Sequence, residues 1–189
     1  MIEEDLYNFL LITNDILINE NFIKLKKEKH HGNNRYDHCL RVALKMYKAI
    51  PNNDPNKAIV VRASLLHDFF YRSEMSQLKA IERYKYHPAY SIKNSIINFN
   101  IGKLEREIIR THMFPLTNTI PRNKYAWKLM INDKIISIKE TFKYRLLHID
   151  DNIECIDLTK NKFNEKEILN LPTKYNDLIS ILEYNNDII

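Results

Sequence analysis

A chain with two glycines in 189 residues is poorly equipped for tight hairpin turns, whose favoured geometries need backbone at positive φ. The scarcity points to helices, and the apolar spacing agrees. Ile2, Leu6, Phe9, Leu10, Thr13, Ile16 and Leu17 recur at three- and four-residue steps, one face of an amphipathic helix. Phe22, Ile23 and Leu25 add a short second turn. A helix from Arg35 buries Cys39, Val42, Ala43, Met46 and Ile50, and Pro51 stops it. Asp54 and Pro55 are a helix-start signal. The run that follows, from Ala58 to Leu66, is apolar nearly all round and marks the central helix. Gln77 to Tyr84 reads as a short helix capped by Ser76. His87 then caps another that Pro88 opens, with Ala89, Ile92, Ile96 and Phe99 inside. Leu104, Ile108 and His112 follow at four-residue steps. Ala126, Leu129, Met130, Asp133, Ile136 and Ser137 share a broad face. Phe163 to Leu171 and Lys174 to Leu182 read as two more helices split by Pro172. The expected fold is all-α, one domain over 1–189.

Composition excludes several classes. Hydrophobic residues are 44% of the chain, enough for a sizeable core, and the net charge is +5. That mild positive balance suits an anionic substrate. Acidic residues interrupt every basic stretch, so a nucleic-acid partner is not expected. Cys39 and Cys155 form no CxxC pair, which removes zinc-finger and thioredoxin-like readings. The acidic start Met1-Ile2-Glu3-Glu4-Asp5 is unlike a signal peptide, and no apolar run is long enough to span a bilayer. The expectation is a cytoplasmic protein without a membrane anchor.

The chemistry gathers on Leu65-Leu66-His67-Asp68-Phe69-Phe70, where two metal-binding side chains follow an apolar run. Both are costly to bury unpaired. The bland reading is a capping Asp and a half-exposed His, and for this doublet alone that reading leads. His38, His87, His112 and Asp133 change the balance, because each lies inward or at a helix end on a separate element. Any one inward histidine is usually a hydrogen-bonded core residue. Asp133 on an apolar face is less comfortable, since desolvation opposes its charge. Two carboxylates and four imidazoles on one helical core can hold one or two divalent metals.

The order His38, His67-Asp68, Asp133 resembles the HD-domain superfamily of metal-dependent phosphohydrolases. Arg35-Tyr36-Asp37-His38-Cys39-Leu40-Arg41-Val42 looks like the first motif of that family, and Arg62 to Phe70 like its second. His87-Pro88 and Ile108-Ile109-Arg110-Thr111-His112-Met113-Phe114-Pro115-Leu116 look like a bacterial subgroup with two further ligands. The last motif continues as Ile131-Asn132-Asp133-Lys134. The resemblance implies an HD core over 31–145 with accessory helices over 1–25 and 150–189.

It also implies roles. His38, His67, Asp68 and Asp133 hold a first metal, and Asp68 bridges to a second held by His87 and His112. His67 and Asp68 are the catalytic pair. The cofactors are then two divalent ions among Mn, Fe, Co, Ni and Zn. The reaction is hydrolysis of a small phosphorylated molecule, a nucleotide in the first instance, by a metal-activated water. A silent metal- and nucleotide-binding regulatory module is the alternative. Where some HD phosphodiesterases carry Gly-Lys after the doublet, this chain has Phe70-Tyr71, which disfavours a cyclic dinucleotide. Arg35, Arg41, Lys134 and His31 are candidate phosphate contacts, Arg41 reading equally well as a salt-bridged charge. His30 and His148 match nothing and read as surface residues. The terminal helices are expected as cover or as a homodimer surface. His87, at an expected helix start, should be neutral, whereas His112, at a helix end, should favour its protonated form.

Overall fold

The computed structural model describes residues 3–146. Among them are seven α-helices: α1 (Glu3–Leu17), α2 (Glu20–Ile23), α3 (Arg35–Ala49), α4 (Lys57–Leu66), α5 (Ala80–Phe99), α6 (Lys103–Thr111) and α7 (Lys124–Glu140). The one sheet among these residues is a two-stranded antiparallel hairpin, β1 (Lys29–His30) with β2 (Asn33–Asn34). Gly32, at φ 91°, and His31, at φ 45°, make its turn. No described helix is long and apolar enough to cross a membrane. His148 and the expected helices over 150–189 lie outside the described residues.

Local chemistry sets the helix ends. The Asn34 side chain accepts the Asp37 N–H and starts α3; Asn19 and Asn123 do the same for α2 and α7. Glu105 reaches back to the Gly102 N–H at 2.6 Å and closes the start of α6. Asp54 accepts the Asn56 N–H and shapes the turn before α4, which begins at Lys57, two residues after Pro55.

The core is built on α4. Val60, Val61, Ala63, Leu65 and Leu66 are buried, and α4 packs against α3, α6 and α1. Phe9, Ile16 and Leu17 of α1 and Phe22 of α2 belong to the same apolar cluster as α3 and α4. The central-helix expectation therefore holds, and the first helix is part of the core. α7 crosses α3 and α6 with Ala126, Leu129, Met130, Asp133 and Ile136 buried, the face expected from the sequence.

α5 departs from expectation. It is one continuous helix of 20 residues with Pro88 inside it, not two helices divided at His87. Proline has no N–H, so the Tyr84 carbonyl loses its helical donor. Tyr84 is exposed, and water can take that place. The inner face is also more polar than expected: His87, Ser91, Asn94 and Ser95 are buried, Ile92 and Phe99 pack against the core half-buried, and Ile96 is exposed. The Asn94 amide donates to Phe69 O at 3.1 Å and to Glu74 Oε2 at 2.8 Å. Polar side chains thus anchor α5 to the loop after the His-Asp doublet, which apolar periodicity cannot report.

Arg62, 2% exposed, holds three helices together. From α4 it donates to Asp15 Oδ1 of α1 at 2.7 Å and to Ile12 O at 3.1 Å, and its Nε lies 3.7 Å from Glu105 Oε1 of α6. Truncating one partner of a buried ion pair strands the others. Arg62→Ala should therefore lower unfolding free energy by about 3 kcal/mol or more, read from urea unfolding. A loss under about 1 kcal/mol, the range of surface pairs, would show that water replaces the arginine.

Candidate metal centre

The site forms where the ends of α4 and α6 meet the first turn of α3 and the middles of α5 and α7. Helix C-termini leave carbonyls without helical donors, and two site histidines fill that need. The His67 Nδ1–H, just past α4, donates to Ser64 O at 2.8 Å. The His112 Nδ1–H, just past α6, donates to Ile109 O at 2.7 Å. On α5 the His87 Nδ1–H donates to Arg83 O at 3.2 Å. A carbonyl can only accept, so each Nδ1 carries the hydrogen. In the neutral ring each Nε2 is then a bare lone pair facing the site.

Those lone pairs converge. His87 Nε2 and His112 Nε2 are 2.9 Å apart. Asp68 Oδ1 lies 3.2 Å from the first and 3.5 Å from the second. Asp68 Oδ1 and His67 Nε2 are buried without a hydrogen-bond partner. Acceptors this close repel unless a proton or a metal ion sits among them. On the other side His38 Nε2 is 3.1 Å and His67 Nε2 3.5 Å from Asp133 Oδ1. His38–His67–Asp133 and His67–Asp68–His112 are each compact enough to hold a divalent ion. An N/O donor set of this kind takes Mn, Fe, Co, Ni or Zn. The residues present therefore fit one or more metals.

Electrostatics follow from this crowding. Burial opposes the charge on Asp68, but positive charge on the His67 and His87 rings beside it, when they carry a second proton, holds its carboxyl well below the usual range. Asp133 is depressed likewise, against its burial, by His38 and His67. His112 is lowered by burial, reinforced by its histidine neighbours and opposed by Asp68. That corrects the helix-end expectation of a protonated His112: desolvation outweighs the dipole. His87 is eight residues into α5, so the helix-start argument does not apply to it.

Two residues were missed. Glu140 accepts the His38 Nδ1–H at 2.7 Å and the Arg41 guanidinium at 2.7 Å, a carboxylate behind a candidate ligand histidine, an arrangement that orients metal ligands. Its signal was available: Glu140 lies seven residues after Asp133, two turns along one face. The second is His30, expected on the surface. Its side chain is 19% exposed, and Nε2 is 3.6 Å from Asp68 Oδ2. His30, His38 and Asp68 form a third compact group. The two-residue strand β1, which helical periodicity cannot show, brings it there.

The candidate phosphate contacts scatter. Arg35, 2% exposed, stacks on Phe70, donates to Phe70 O at 2.7 Å, and places Nε 3.9 Å from Asp68 Oδ2. Arg41 bonds Glu140 and the Tyr144 hydroxyl. The Lys134 ammonium donates to His112 O at 2.8 Å. His31 Nδ1 is 3.1 Å from Thr141 Oγ1. Beside the cluster opens a cavity of about 270 Å³ bordered by Asp68, His87, Arg35, His30 and His31. Trp127 is 39% exposed and packs edge-on against Phe114.

His38 carries the pH dependence. Burial lowers its pKa, but hydrogen bonds to Asp133 and Glu140 overcome this and push it up to about 10. The metal-free site is thus stabilised by protonated His38 below about pH 6.5, the unfolded value, and loses that contribution as pH rises through about 10. A metal must displace the proton. Affinity for Mn²⁺ should rise about tenfold per pH unit between pH 7 and 9, with about one proton released on binding, measured by calorimetry in buffers of different ionisation enthalpy. A flat affinity would contradict it. Glu140→Gln should weaken metal binding about 10- to 100-fold, read by chelator competition. Comparison with protein-family models, with curated proteins and with solved structures finds no match.

Proposed function

We propose that the protein is a metal-dependent phosphohydrolase of the HD type, acting on a small phosphorylated substrate. One observation carries the metal half of this reading: the 2.9 Å approach of His87 Nε2 to His112 Nε2 over Asp68 Oδ1, with both Nδ1 atoms already donating to carbonyls. The phosphate half is supported by the open cavity at Asp68 and by the Arg35 guanidinium facing it. His38, His67, Asp68 and Asp133 would hold one cation, and Asp68, His87 and His112 a second. Two such ions supply a water of lowered pKa and a clamp for phosphoryl oxygens.

The chain's own residues do the rest. Asp68 offers one oxygen to each side, Oδ1 toward His87 and His112 and Oδ2 toward His30 and Arg35. The carbonyl bonds at Nδ1 keep the imidazoles aimed before any substrate arrives. Arg35 neutralises charge at the cavity floor, where a phosphoryl oxygen would otherwise face Asp68.

Asp68→Ala should leave helicity unchanged and cut Mn²⁺-dependent hydrolysis of p-nitrophenyl phosphate by more than about 100-fold, beyond the loss typical of residues behind the ligands. Full activity in that variant would sink the metal assignment. His87→Ala/His112→Ala should retain one metal per chain by elemental analysis and lose most turnover. If it keeps both metal stoichiometry and turnover, those histidines are not ligands. The regulatory-module reading predicts metal uptake with no phosphate release from any ester tested.

A further inference from the structure

Beyond the doublet, one face of α5 runs away from the metal centre along the cavity wall. Ala80, Arg83, Tyr84 and His87 fall at three- and four-residue steps and all border the same cavity. Arg83 is therefore one turn from His87, with Cβ atoms about 5–6 Å apart. The opposite rim is Arg72, from the 3-10 turn Arg72–Met75.

The charges in this cavity do not balance. Arg35, Arg72 and Arg83 border it, and Asp68 is the only carboxylate that does. Arg35 is partly engaged within the fold: NH1 donates to Phe70 O and to Glu28 Oε2, and Nε, buried without a hydrogen-bond partner, lies 3.9 Å from Asp68 Oδ2. Arg72 commits one donor to Lys29 O. The Arg83 guanidinium makes no hydrogen bond or ion pair with any described residue, while its own backbone carbonyl holds His87 in place. An arginine has five donors in a fork suited to phosphate or carboxylate.

We propose that Arg83, with Arg72 across the rim, binds a second anionic group of the substrate, distinct from the phosphoryl group that reaches Asp68 and His87. The substrate class is a compact molecule with two neighbouring anionic groups, such as a diphosphate or a phosphorylated acid. A cavity of about 270 Å³ sits just below the usual range for ligand pockets, about 300–1,000 Å³, which favours a small dianion over a polymer. The proposal rests on the phosphohydrolase reading for the position of the first group.

The test is a calorimetric titration of Mn²⁺-loaded protein with inorganic phosphate and with methylenediphosphonate, at fixed free Mn²⁺. Wild type should bind the diphosphonate at least about tenfold more tightly than phosphate. Arg83→Ala should bring the two within about twofold while phosphate affinity and metal content stay unchanged, the loss of one charged hydrogen-bonding partner being worth about tenfold or more. Arg83→Lys should restore part of the preference, and Arg72→Ala should remove part of it. Circular dichroism checks that each variant remains helical. No preference in wild type, or a full preference in Arg83→Ala, overturns the second subsite. Hydrolysis of p-nitrophenyl phosphate on the same samples separates the two readings. A protein that hydrolyses it without preferring the diphosphonate loses only the subsite. One that shows the Arg83-dependent preference without turnover loses only the hydrolase assignment.

Discussion

Everything at the centre of this protein depends on three hydrogen bonds from imidazole Nδ1 to main-chain carbonyls: His67 to Ser64, His112 to Ile109 and His87 to Arg83. Those of His67 and His112 answer a local backbone need at a helix end, and all three turn a ring so that Nε2 faces the same few ångströms of space. A buried amide or serine would satisfy a carbonyl equally well. It would not deliver a lone pair to the other side. The preference for histidine at these positions makes sense only if the second nitrogen has work to do.

His38 is arranged differently. It sits inside α3, where the main chain needs no help, so its Nδ1 is held by a side chain, Glu140, brought in from α7. Arg41, one turn along α3, neutralises that glutamate at its other oxygen. The result is a buried chain of alternating charge, Arg41–Glu140–His38–Asp133, that neutralises itself before any metal is considered. Such a chain explains how Asp133 is tolerated on the apolar face of α7.

Most of this was legible in the residues. Four-residue spacing placed His112 and Asp133 inward, and the apolar run before His67 identified the most buried helix. Failures have specific causes. Pro88 was read as a helix start because proline usually is one, but α5 gives up a single hydrogen bond at solvent-exposed Tyr84 and continues. The most buried residues of α5 are His, Ser and Asn, so the apolar residues located only its flank: Ile92 and Phe99 pack against the core and Ile96 does not. His30 was set aside because it matches no motif residue, in the segment between the second helical turn and α3. A hairpin of two-residue strands folds that segment back over Asp68, and no periodicity reveals so short an element. Glu140 had a visible spacing from Asp133 but no partner in the sequence until α3 and α7 were seen to cross.

The position of Glu140 at the last residue of α7 has a mechanical side. The π-helical turn Thr141–Leu146 begins there, and Arg41 grips both Glu140 and the Tyr144 hydroxyl. The turn is thereby tied through the Tyr144 hydroxyl to Arg41, from Arg41 to the Glu140 carboxylate, and so to the ring of His38. The exit of α7 is in this sense a lever whose short arm is a candidate metal ligand.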